Sequence, residues 1–223
     1  RLARDVPGVV VLDVHACLYE AIILHADDVA LKLLKLPPAL LNINGVHARD
    51  RFFRDGWRRG LTLLAFAAAK GRPAIVRAIL ELSPAYNLDV NAADSQGFSP
   101  LVLAVFYDHP SVVQVMVAHA ADRVRANVDI FETALLSYAV IHSPACARAL
   151  LGLPPANLDV NRTKRPRDPT PLEYALRFRQ VSDWIAEDFV ALPPEYGLTC
   201  ASMSDMSLFA ADDSREAKLM EFL

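Results

Sequence analysis

The chain has 223 residues, 53% of them apolar, and a formal net charge of -3. That length suits one large domain or two small ones with a continuous core. The charge gives no global attraction to nucleic acid or an anionic membrane, and no apolar run approaches the roughly 20 residues that span a bilayer.

The three cysteines, Cys17, Cys146 and Cys200, form no CxxC pair. An odd count near apolar segments predicts reduced thiols in an intracellular protein, cytoplasmic or nuclear, rather than a disulfide framework or zinc site. The histidines show no metal-ligand spacing, no Gly-rich phosphate loop occurs, and no Ser-His-Asp or Cys-His order can be assembled. We expect no metal, no cofactor and no catalysis.

In chain order, short apolar helical pairs alternate with polar connections. ACLYEAIILHADDVALKLL from Ala16 is the first pair, followed by LPPALLNIN. Residues 47–60, HARDRFFRDGWRRG, come next, with five arginines, two phenylalanines and a tryptophan on a predicted loop. TLLAFAAAKGRPAIVRAIL from Thr62 is the second pair; Ile75, Val76, Ile79 and Leu80 give its second helix an apolar face. LSPAYNLDVN leads into NAADSQGFSPLVLAVFYDHPSVVQVMVAHA, then TALLSYAVIHSPACARALL from Thr133, LGLPPANLDVN, and TPLEYALRF from Thr170. A Thr or Ser before each apolar run can cap the first turn, and prolines close the second helices because they cannot continue one. Each pair exposes an apolar face that only a neighbour can cover, so the array must stack.

Residues 87–120 resemble an ankyrin repeat. Asp89-Val90-Asn91-Ala92, Asp94, Gly97, Ser99-Pro100-Leu101, Ala104-Val105 and Val112-Val113 fall on its consensus, and LDVN recurs at 158–161 with a weaker LNIN at 41–44. The same frame starts units at 16, 62, 99, 133 and 170, with gaps of 46, 37, 34 and 37 residues against a family period of about 33. MSLFAADDSREAKLMEFL, 206–223, reads as a degenerate C-terminal cap. The resemblance implies one domain over 1–223: an all-α solenoid of five to six helix-turn-helix pairs with β-hairpin or loop fingers. The finger at 45–60 is enlarged. The family's His after TPL is absent from every unit, where Tyr19, Ala65, Val102, Leu136 and Glu173 stand, so its inter-repeat hydrogen bonds are missing or replaced. The glycine between paired helices survives as Gly71 alone.

The family frame implies a non-catalytic module binding a partner protein or peptide in a concave groove lined by first helices and fingers. Ile23, Leu24, Ala69, Lys70, Phe106, Tyr107, Val140, Ile141, Arg177 and Phe178 are the expected floor, with at least one of Phe106 and Tyr107 in the core. Counting five, two and four, the fingers hold eleven of the 23 Lys and Arg. An apolar floor with a basic rim suits a ligand with an apolar body and acidic groups, and aromatic and arginine side chains dominate binding hot spots. The expected contacts are Phe52, Phe53, Trp57, Arg58, Arg59, Phe98, Phe106, Tyr107, Arg165, Arg167, Tyr174 and Phe178. Against this stand readings of residues 47–60 as a solvated insertion and of the basic last finger as a solvated face. Tyr138 is expected to pack, His109 to be structural, and the pairs Tyr19-Glu20 and Glu173-Tyr174 to be ordinary surface residues. The alternatives are a small-molecule binder or unusual enzyme with an apolar pocket under residues 47–60 and, with less support, nucleic-acid binding. A monomer with no membrane contact is expected.

Overall fold

The computed structural model describes residues 13–46, 60–82, 84–177 and 185–199. The arginine-aromatic stretch 47–59, Phe178 and the expected cap at 206–223 lie outside them.

Ten helices occur among the described residues, in five pairs: α1 Val14–Ile23 with α2 Asp27–Leu33, α3 Leu63–Ala69 with α4 Pro73–Leu80, α5 Pro100–Phe106 with α6 Pro110–Ala120, α7 Leu135–His142 with α8 Pro144–Leu150, and α9 Pro171–Arg177 with α10 Ile185–Val190. First helices stack in the order α1, α3, α5, α7, α9, and second helices in the order α2, α4, α6, α8, α10. Each pair therefore covers the apolar face of its neighbour, and one continuous core runs from Leu18 to Phe189. This is an all-α solenoid; among the described residues the one sheet is a two-residue-per-strand hairpin, β1 Asp129–Ile130 against β2 Thr133–Ala134, in which Asp129 faces Ala134 and Ile130 faces Thr133.

Local chemistry explains the helix starts. Thr62 and Ser99 cap α3 and α5 through their hydroxyl oxygens, which accept from Ala65 N and Val102 N. Thr170 and Glu173 form a reciprocal capping box at α9: Glu173 N donates to Thr170 Oγ1, and Thr170 N donates to Glu173 Oε2 at 2.8 Å. Two starts differ from expectation. Asp13 caps α1, and Thr133 does not cap α7, because Ala134 holds the cap position and the Thr133 hydroxyl turns back to Ile130 O.

The glycine conformation between paired helices outlives the glycine. Gly71 has φ 64, and His25 and Asp108 hold φ 58 and 55 at the equivalent turns. Gly71 itself is required: a Cβ there would sit 2.7 Å from the His109 ring. His109 Nε2 lies 3.1 Å from the Ala69 carbonyl; a carbonyl only accepts, so Nε2 carries the proton and ties the third pair to the second. Arg72 ties the second to the first through Asp27, with Nε to Oδ1 at 3.0 Å, and Ser143 Oγ donates to Asp108 Oδ1 between the third and fourth pairs.

The missing TPLH histidine is replaced rather than left unfilled in the first unit. Tyr19 is completely buried, which corrects its reading as a surface residue, and its hydroxyl donates to Leu61 O at 2.7 Å. Ala65, Val102 and Leu136 are buried apolar at the same place, so no polar group there needs a partner.

The recurring asparagines have a shared job. Asn44 donates to Asn87 O and accepts from Asp89 N. Asn91 does the same with Arg123 O and Arg125 N, and Asn161 with Gly197 O and Thr199 N. Asn127 accepts from Asp159 N and completes the series. Each side-chain amide thus satisfies backbone groups of the following connection, which would otherwise face water or go unpaired.

A candidate interaction surface between the third and fourth units

Six rings meet where α5 packs on α7. Phe98 ends the finger before α5, Phe106 is the last residue of α5, and Tyr107 follows it. Phe131 tips the β1–β2 hairpin, and Tyr138 and His142 lie four apart on α7, on one helix face. Ring centroids are 5.9 Å apart for Phe98–Phe106, 5.5 Å for Phe98–Phe131, 5.7 Å for Phe106–Phe131 and 5.0 Å for Phe106–Tyr107. Phe106–Tyr138, Phe131–Tyr138 and Tyr138–His142 follow at 6.3, 6.5 and 4.5 Å. Phe106 and Tyr138 are stacked and the other pairs are tilted or edge-on, at separations usual for aromatic pairs.

The cluster grades from interior to surface. Phe98 is buried, Phe106, Tyr107 and Tyr138 are half-buried, His142 is exposed, and Phe131 is 60% exposed. Burial raises the Tyr138 phenol above its ordinary value, which moves it further from ionising than a tyrosine in water, itself neutral at physiological pH. Phe131 has φ 51, an uncommon conformation for a bulky residue, at the first central position of a two-residue turn where glycine is favoured.

The hairpin is held from the next finger. Arg162 Nη2 pairs with Asp129 Oδ1 at 3.0 Å, Lys164 Nζ reaches Glu132 at 3.8 Å and donates to the Phe131 carbonyl, and Arg165 Nη2 pairs with Glu132 Oε2 at 2.5 Å. Asp168 in turn accepts from the backbone N–H of Arg165. Most of the basic run is thus neutralised within the protein. Arg167 is exposed.

The predicted contact residues divide accordingly. Phe98, Phe106 and Tyr107 come together, and neither Phe106 nor Tyr107 is fully in the core; both are half-buried and touch each other. Arg165 is beside the cluster but engaged with Glu132. Tyr174 is half-buried one unit further on, against the core. Phe52, Phe53, Trp57, Arg58, Arg59 and Phe178 lie outside the described residues. Two expected floor residues, Ala69 and Val140, are buried rather than lining a surface. Tyr138 packs as expected yet remains half-exposed, and Phe131 and His142 were not foreseen as site residues.

Among the described residues, no group of three His, Cys, Asp or Glu is placed to hold a metal ion, and no helix is long and apolar enough to cross a membrane. Burial pushes the Cys146 thiol up to about 11, the opposite of what an activated nucleophile needs.

A family model for ankyrin repeats, in three copies, matches residues 18–127. The chain belongs to the ankyrin-repeat family. No curated protein matches it. The ankyrin match covers the first three units, and the helix pairs after residue 127 continue the same stack, α7 on α5 and α8 on α6. Ankyrin repeats are in general protein-interaction modules and typically non-catalytic, and the six-ring cluster lies where first helices and fingers meet.

Proposed function

We propose that this chain is a recognition module. It binds a partner protein or peptide across its first-helix face and fingers, with the aromatic cluster between α5 and α7 as the anchor. The observation that carries this reading is Phe131, a large ring 60% exposed in a backbone conformation uncommon for such a residue. A protein that spends conformational energy to hold an apolar ring outward invites a functional explanation. Phe98, Phe106 and Tyr107 support it from below, and Arg167, on the finger that holds the hairpin, is exposed. The residues 47–59 and Phe178 extend the proposed surface by sequence. The uninterrupted core supports reading the repeats as one domain, and the free thiols of Cys17 and Cys146 support an intracellular setting.

Site-specific photocrosslinking tests the reading. The intact chain carries p-benzoylphenylalanine at position 131, or at position 29 on α2, where Val29 is also exposed. In lysate, the first probe is expected to capture a discrete protein adduct that weakens with Tyr138→Ala. Equal capture from both positions, or capture from position 29 alone, would remove the anchor from this face.

A further inference from the structure

The finger cations and the aromatic cluster make different demands on a partner, and the geometry decides between them. Residues 129–132 and 162–168 carry Arg162, Lys164, Arg165 and Arg167 against Asp129, Glu132 and Asp168, four positive charges against three negative, for a sum of +1. Three of the four cations already point at hairpin acceptors: Arg162 at Asp129, Lys164 at Glu132 and the Phe131 carbonyl, and Arg165 at Glu132. An acidic partner would have to break those pairs to use them. Even then it would face the carboxylates of Asp129 and Glu132 left behind. A near-neutral rim around exposed rings instead favours a group that carries no charge.

Resting on the proposal that the partner binds at this cluster, we infer that it seats an uncharged apolar or aromatic side chain against Phe131 and Tyr138, and that the finger cations do not read acidic groups. Phe131 offers an exposed face, and Tyr138, 6.5 Å from it, offers the neighbouring half-exposed one. Rings at that spacing touch each other, since aromatic pairs lie about 4.5–7 Å apart, so together they present one apolar patch on which a single partner side chain can rest against both. The Tyr138 hydroxyl, neutral at physiological pH as any phenol is, supplies a hydrogen-bond donor or acceptor at the edge without adding charge.

The test is selection of a phage-displayed random 12-residue peptide library on the intact chain, followed by affinity measurement of the selected peptides. Peptides carrying Phe, Trp, Leu or Ile and little net charge are expected. Phe131→Ala should weaken them at least about tenfold, as for a binding hot spot. Phe131→Leu should retain most of the affinity, which guards against a hairpin that merely misfolds in the alanine variant. Arg167→Glu should change affinity less than about threefold, the size of a rim charge. Acidic peptides that lose affinity with Arg167→Glu and ignore Phe131→Ala would overturn the inference while leaving a protein-binding face in place. Selection of no peptide, or of peptides indifferent to both Phe131→Ala and Tyr138→Ala, would overturn the inference and the anchor together.

Discussion

The stack from α1 through α3 to α5 and the joint between α5 and α7 share one frame but differ in what fills it. Along α3, the residues Ala65, Ala67, Ala68 and Ala69 are all buried, and small side chains let the neighbouring helices close on Phe66. At the position of Ala67 and Ala104, α7 carries Tyr138, and at the position of Ala69, α5 carries Phe106. Rings too large to be enclosed are displaced toward the first-helix face, and the β1–β2 hairpin adds Phe131 beside them. The difference teaches that a stacked repeat becomes a recognition surface through side-chain size at one or two helix positions, with the backbone frame unchanged.

The largest effect expected from this contrast is on stability. Phe66 is buried on α3 with its ring 4.9 Å from Tyr19. Phe66→Ala should cost roughly 3–5 kcal/mol by urea unfolding, the usual range for a buried aromatic. Tyr138→Ala removes a ring of similar size but half-exposed, and should cost less than half as much. Equal costs would mean that the α5–α7 joint is as closed as the first two.

Cys146 gives the next effect, in pH. It is fully buried on α8, and burial raises its thiol from 9.0 to about 11. The folded state therefore holds the proton more tightly than the unfolded chain does. The stability this provides is complete below about pH 9 and is lost as pH rises through about 11, by about 3 kcal/mol at most. Unfolding midpoints of Cys146→Ala should show a shallower alkaline fall over the same window, since the tyrosines and lysines titrate in both proteins. An identical slope in the two would mean the thiol is not protected.

Gly71→Ala should come third, at roughly 1–3 kcal/mol, because alanine at φ 64 is strained and its Cβ would run into His109. His109→Ala in the same chain should recover the steric part and leave the backbone part. Strict additivity of the two substitutions would show that the ring does not confine position 71.

Much of this architecture is legible in the sequence, because capping hydroxyls at Thr62, Ser99 and Thr170, turn residues Asp94 and Gly97, and the apolar spacing of Ile75, Val76, Ile79 and Leu80 act locally. What stays hidden is what acts across units. The asparagine marks are visible at 44, 91 and 161, but their purpose needs the backbone they bridge to, and Asn127 lacks the flanking Leu-Asp that would expose it. Tyr19 gives no sign in sequence that it does the work of a missing histidine. Phe131 escaped because its two-residue turn has neither Gly nor Asn, so nothing marked a hairpin there. In sequence the basic run at 162–167 fits either a binding rim or a solvated face; its commitment to Asp129 and Glu132, 33 residues earlier, depends on how one unit sits on the next.

The smallest expected effect separates holding the hairpin from holding the fold. The ion pairs of Arg162, Lys164 and Arg165 are partly or largely exposed, and such pairs contribute about 0–1 kcal/mol each. The variant Arg162→Gln, Lys164→Gln, Arg165→Gln should therefore unfold close to the parent. Hydrogen exchange is the sensitive readout, because local opening needs far less than global unfolding. Amides in 128–135, where Leu135 N donates to Val128 O at 2.9 Å, should exchange several-fold faster, and amides of α3 should not change. Salt near 1 M should produce the same local loss in the parent, since it shortens the Debye length to about 3 Å. Lys164→Arg, which keeps a donor and a charge within reach of the Phe131 carbonyl and Glu132, should restore protection where Lys164→Gln does not. Unchanged exchange in the glutamine variant would mean that the strand pairing of Asp129–Ala134 alone positions Phe131, and that the basic finger is a solvated face after all.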